Sequence, residues 1–165
     1  MSRVYTIKAA ATDLTAANGN YDWLEIAPND DKPVRLWGWI LSQKDQLGDA
    51  EELNVLFRLL RLTSVSGGSS GGISPSVSSM SETEQAISAG FTAEAFNTGV
   101  ATTGGSTREL MEFYWNLRGS PYEFWFPSRE WCPVVRQGEA LILRQDDTLP
   151  NTIKCAATYF VEEDG

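Results

Sequence analysis

Apolar and polar residues alternate along most of this chain. A period of two is the signature of β-strands, whose successive side chains point to opposite faces. Across residues 4–10, Val4, Thr6 and Lys8 fall on one face and Tyr5, Ile7 and Ala9 on the other. Residues 21–27 predict a second strand, with either Leu24 and Ile26 or Trp23 turned inward. Residues 34–43 predict a third: Val34, Leu36, Gly38 and Ile40 share one face, and Arg35, Trp37, Trp39 and Leu41 the other. Both faces are then largely apolar, so the second is expected to lie against a partner subunit or another layer. The same alternation recurs over residues 91–97, 108–117, 122–126, 140–145 and 152–162, with a short Val134-Val135 piece between.

Residues 51–65 read two ways. Leu53, Leu56, Phe57 and Leu60 fit a helical face, with Asp49, Glu51 and Glu52 suited to a helix start, whereas Leu53, Val55, Phe57 and Leu59 alternate as a strand would. The stretch ends in Thr63-Ser-Val-Ser and the rest of the chain is β, so it is taken as a strand.

Turn chemistry separates these segments. Asn18-Gly-Asn20, the Pro28–Pro33 loop, Gln137-Gly138 and the Pro/Asp loop at 146–151 break any ladder. Residues 66–80 are Ser/Gly-rich and 98–107 Gly/Thr-rich, both expected to be flexible loops, and residues 81–88 could make one helical turn capped by Ser81. Glu162-Glu-Asp164 is expected to be a solvated acidic end. The sum is one all-β domain over residues 1–165, an antiparallel sandwich of about eight to nine strands with long Gly/Ser loops.

Composition narrows the function. Thirteen basic residues against 22 acidic give a net charge of −9, which disfavours a nucleic-acid partner. No apolar run is long enough for a membrane span, and Met1-Ser-Arg-Val-Tyr5 lacks the apolar core of a secretory signal, so a cytoplasmic origin is expected. Cys132 and Cys155 are then expected as buried free thiols. The chain has no His, which removes the commonest general base, the Ser–His and Cys–His nucleophiles, and most Zn or Cu sites.

The remaining chemistry is sparse. Glu112 and Glu123 are the best available carboxylate pair for a glycosidase, but strand carboxylates facing solvent or arginine are the simpler reading. Asp30-Asp31 and Asp146-Asp147 have no EF-hand register and read as loop charge rather than Ca²⁺ ligands. The Gly67–Gly72 run has no Lys-Ser/Thr after it and is not a phosphate loop. No catalytic residue, cofactor or metal ligand is expected.

Aromatics concentrate instead. Residues 108–144 hold three of the six Trp, two of the five Tyr and three of the seven Phe. Trp37, Trp39, Trp115, Tyr122, Trp125 and Trp131 are candidates for an interface, with stacking of a sugar on Trp115, Tyr122, Trp125 or Trp131 as the alternative.

The order of several short motifs carries a family resemblance. Pro33-Val-Arg-Leu36 opens a strand, Gly48-Asp-Ala-Glu-Glu-Leu53 precedes a long apolar one, and Glu94-Ala-Phe-Asn97 follows the Gly/Ser loop. Pro127-Ser-Arg-Glu-Trp-Cys-Pro-Val-Val135, Gly138-Glu-Ala-Leu-Ile-Leu-Arg144 and Ala156-Ala-Thr-Tyr-Phe-Val-Glu-Glu163 come later. Over about two thirds of its length this resembles the small head-decoration proteins of tailed bacteriophages. The chain departs from that pattern at Trp37, Trp39 and Tyr114-Trp115, where aliphatic residues are more usual. The resemblance implies a jelly-roll-like sandwich and a place in the virion, assembled in the host cytoplasm. It also implies a homo-oligomer, with a trimer favoured, and the major capsid protein as partner. A carbohydrate-binding module of a fibre or lectin type is the alternative function.

Overall fold

The computed structural model describes residues 2–44, 54–68, 70–80, 88–119, 121–149 and 151–165. The expected helical turn at 81–88 and the acidic start of 51–65 lie largely outside them. Among the described residues, thirteen strands follow in chain order: β1 (Arg3–Leu14), β2 (Tyr21–Pro28), β3 (Val34–Gln43), β4 (Asn54–Thr63), β5 (Val65–Gly67), β6 (Ser76–Ser79), β7 (Phe91–Glu94), β8 (Thr102–Thr103), β9 (Thr107–Asn116), β10 (Tyr122–Trp125), β11 (Val134–Val135), β12 (Glu139–Gln145) and β13 (Ile153–Glu163). The ambiguous segment is therefore a strand from Asn54 onward.

Two antiparallel sheets form the sandwich. One runs β10-β3-β13-β1-β6, with β11 also on β3, and the other β7-β2-β12-β4-β9. Leaving the short strands aside, the chain visits β1, β2, β3 and β4 in alternate sheets, makes a hairpin to β9, and returns through β10, β12 and β13 in alternate sheets. This is the jelly-roll winding, with strands far apart in sequence paired at its centre. β1 pairs with β13 over most of its length, so the two ends of the chain lock each other.

β-Bulges explain where simple alternation fails. In β2, Leu143 pairs with Leu24 and Arg144 with Asp22, which leaves Trp23 as the extra residue. The choice between Trp23 and Leu24 with Ile26 dissolves, because all three are wholly buried. In β3, Phe160 pairs with Gly38 and Val161 with Leu36, so Trp37 is extra. The phase changes there. Val34, Leu36, Trp39 and Leu41 all enter the core, and Arg35, Trp37 and Ile40 are only half-buried. The apparent second apolar face of this strand was a bulge read as continuous alternation.

The core is an aromatic ladder between the sheets. Trp39 stacks on Phe113 of β9 (5.6 Å) and Phe124 of β10 (4.9 Å), and Phe113 stacks on Phe57 of β4 (5.4 Å). Phe57 meets Trp23 edge-on at 5.1 Å, and Trp23 meets Phe96 and Trp115 the same way. Offset and edge-on pairs of this kind add to the large apolar area that each ring buries.

The Gly/Ser and Gly/Thr segments are partly ordered strand rather than loop throughout. β6 pairs with β1, and β5 with β8. Near β5 and β8, Ala101 and Val65 cover a second apolar cluster on the outer side of the β2–β12–β4 sheet, made of Leu60, Leu62, Ala140 and Ile142. Phe96 adopts φ 54°, an unusual backbone for a bulky residue, and its ring packs on Trp23.

Candidate functional site

The six aromatic candidates separate by burial. Trp39 and Trp115 are wholly buried in the core, so neither can form a subunit or sugar contact. The reason is their phase: both occupy inward positions of strands whose other faces look outward. Trp37 and Tyr122 are half-buried. Trp37 donates to Glu162 Oε2 at 2.9 Å, and Tyr122 stacks on Phe113 at 5.1 Å with its phenol pKa raised by burial. Of the six, Trp125, 44% exposed, and Trp131, 71% exposed, are the ones that stand open to solvent.

Trp131 marks an apolar groove at one open side of the sandwich. Among the described residues, the edge strands there are β9, paired only to β4, and β10, paired only to β3. Leu59, Leu110, Met111, Phe124, Phe126, Pro127, Trp131 and Pro133 line a cavity of about 400 Å³ between them, and among the described residues Arg61 is the one charged member of the lining. The walls form for local reasons. Leu110 is the bulged residue of β9, where Leu59 pairs with Met111 and Leu60 with Glu109. Beyond β10, Phe126 N–H donates to the Trp37 carbonyl, and a turn from Ser128 to Trp131 carries the indole across the opening. Pro133 follows, its carbonyl accepting the Leu36 N–H at 3.1 Å, which fixes the far wall to β3.

The sequence signal for Arg61 was present but unused. Val55, Phe57, Leu59 and Arg61 share one phase of β4, so an arginine continues an inward apolar row. Its Nε is buried without a hydrogen-bond partner among the described residues.

Trp125 makes a separate surface on the outer face of the β10–β3–β13 sheet. Its ring lies over Gly38 and beside Phe160, with centroids 4.5 Å apart. Its indole N–H is taken by Glu123. A Cβ on Gly38 would collide with the Phe124 carbonyl and meet the Trp125 ring at 3.0 Å, so the seat requires glycine.

The carboxylate candidates are structural. Glu112 bonds Arg58 at 3.0 Å on the outer face of the β4–β9 pair, whereas Glu123 belongs to the outer face of the other sheet. They cannot act on one bond together. Asp146 bonds Arg58 at 2.6 Å, Asp147 caps the Leu56 N–H at 2.8 Å, and Asp30 accepts from the Lys32 N–H. Among the described residues, no three His, Cys, Asp or Glu side chains converge as a metal site requires. Cys132 and Cys155 are buried thiols outside any disulfide, and desolvation raises the Cys132 thiol pKa.

The acidic C-terminal end is not solvated. Glu162 and Glu163 are buried, because β13 runs on between β1 and β3 to Glu163. Glu163 accepts from Gly90 N–H at 2.6 Å and from the Tyr5 hydroxyl at 3.3 Å. Burial raises the Tyr5 pKa, and Glu163 adds to the shift. Arg129 reaches both Glu162 and Asp164, and Arg35 bonds Asp164 at 3.0 Å.

A polar cleft of about 280 Å³ lies among Ser70, Gly71, Gly72, Ile73, Ser74, Glu94 and Asn97, but Asn97 already donates to Glu94 at 3.1 Å. Comparison with protein-family models, curated proteins and solved structures found no match for the chain.

Proposed function

We propose that this chain is a non-enzymatic structural protein of a phage virion that binds and stabilises the capsid surface as an oligomer, with a trimer as the expected state. The observation that carries the proposal is the open groove between β9 and β10, where Trp131 and seven other apolar residues surround a cavity of about 400 Å³. Exposed apolar grooves on a soluble domain are characteristic of association surfaces. Long edges such as that of β9, unpaired among the described residues, are templates for another chain. The motif resemblance to head-decoration proteins points to the capsid as that surface. Binding across neighbouring capsid subunits would stabilise the particle by mass action, since the ligand favours the assembled state alone.

One observation favours a second reading. Trp125 lies flat over Gly38 with Glu123 and Phe160 beside it, an arrangement on which a sugar ring could stack while the carboxylate accepts a hydroxyl. Glycan-array binding abolished by Trp125→Ala would support a carbohydrate-binding module instead. Light scattering together with co-sedimentation on purified phage heads tests the first reading. An oligomer that pellets with heads supports it, and a monomer that stays in the supernatant defeats it.

A further inference from the structure

Arg61 stands where an arginine is costly. It lines the groove among Met111, Phe126 and Trp131, and its buried Nε has no hydrogen-bond partner among the described residues. The acids nearest to it along the sheet serve a different cation: Glu109, Glu112 and Asp146 all gather on Arg58, on the outer face. Directly across the strand pair from Arg61 is Arg108, which is exposed. Like charges placed opposite each other destabilise a sheet, and an unsatisfied buried N–H adds its desolvation cost. The chain carries 22 acidic residues against 13 basic, yet neither arginine has an ion pair among the described residues. An uncompensated cationic pair at an apolar groove is complementary to a ligand that brings apolar surface and one negative charge.

We infer that the groove receives an extended segment of a partner protein, apolar toward the groove and carrying one Asp or Glu held by Arg61 and Arg108. This rests on the structural reading above and names the chemistry of its partner. The adjoining edge of β9 is what selects a polypeptide. It spans Thr107–Asn116 and, among the described residues, pairs only with β4, so its second edge can hydrogen-bond an added strand, which a fatty acid or other small carboxylate cannot use. The proposed function makes that polypeptide a segment of the capsid partner, because the groove is the surface it assigns to the capsid. In the groove, a guanidinium–carboxylate hydrogen bond is charge-assisted and shielded from water by Trp131 and Phe126, so it confers both strength and register.

The test uses the whole chain and three dye-labelled peptides of alternating valine and threonine, with a central glutamate, glutamine or lysine, plus decanoate as a competitor. The glutamate peptide should bind saturably, and the glutamine peptide at least about tenfold more weakly, as expected when a desolvated charge pair is lost. Arg61→Met should abolish that preference without lowering the thermal midpoint, because methionine removes the orphaned Nε and keeps the apolar wall. Trp131→Ala should weaken all binding. Equal binding of the three peptides, or no binding, would overturn the inference. So would decanoate occupying the groove in an Arg61-dependent way while the peptides do not. If the peptides fail but the chain still pellets with phage heads, the inference falls and the proposed function stands. Peptide binding without head binding sinks the capsid assignment alone.

Discussion

Arg144 Nε lies 2.7 Å from Asp22 Oδ1, and Asp22 is wholly buried. The pair joins β2 to β12 beside the bulge at Trp23, and it also holds Ala101: Asp22 accepts the Ala101 N–H at 2.6 Å, and Arg144 donates to the Ala101 carbonyl at 2.9 Å. It thereby fastens the loop that covers the Leu60–Leu62–Ile142 cluster. Asp22→Ala strands a largely buried guanidinium, so it is expected to cost about 3–5 kcal/mol in urea denaturation. Asp22→Ala with Arg144→Met should recover part of that loss, since no unpaired charge remains.

The tryptophans divide by what they touch. Trp115 packs on Trp23 and Phe57, and Trp115→Ala should cost about 3–5 kcal/mol through the cavity it leaves. Trp131 is 71% exposed, and Trp131→Ala should change stability by less than about 0.5 kcal/mol. Parallel denaturant titrations of the two variants check the contrast.

Gly38→Ala tests the seat of Trp125. The added methyl meets the Phe124 carbonyl as well as the indole, so β10 must shift away from β3. A loss of about 1–3 kcal/mol is expected, as for other overpacked sites. Adding Trp125→Ala should not restore stability, because the collision with the main-chain carbonyl remains. Full rescue would mean that the ring alone sets the spacing.

Acid should weaken the junction of β13 with β3. Burial opposes ionisation of Glu162, but hydrogen bonds from Trp37 and Arg129 outweigh it and hold its pKa below the ordinary carboxylate value. A carboxylate depressed on folding contributes stability above its unfolded pKa and loses it as pH falls through the folded pKa. Thermal melts of the wild type should therefore lose stability across that acidic window. Glu162→Gln should melt lower at neutral pH and show a shallower acid decline.

Much of this architecture was legible because the strands obey a period of two and turn residues separate them. The failures have specific physical causes. Bulges at Trp23 and Trp37 insert one residue and reverse the phase, which made β3 look apolar on both faces. β6 and the β5–β8 pair are written in Ser, Gly and Thr, whose strand signal is weak, and they form because β1 and one another offer open edges. Glu162 and Glu163 read as a solvated end because their partners, Arg129, Trp37, Tyr5 and Gly90, are distant in sequence. The groove was half-legible. Trp131 lies in the aromatic stretch, but Trp115 lies in the same stretch and belongs to the core. Arg61 could be found only by following the inward row Val55, Phe57, Leu59 one step further.

The most direct test of the account is co-sedimentation of wild-type and Trp131→Ala protein with purified phage heads, after both are shown to have the same melting temperature. The account predicts that the wild type pellets with heads and that Trp131→Ala remains largely in the supernatant. Equal pelleting of the two would contradict the assignment of the β9–β10 groove as the binding surface, and absence of both from the pellet would contradict the capsid role itself.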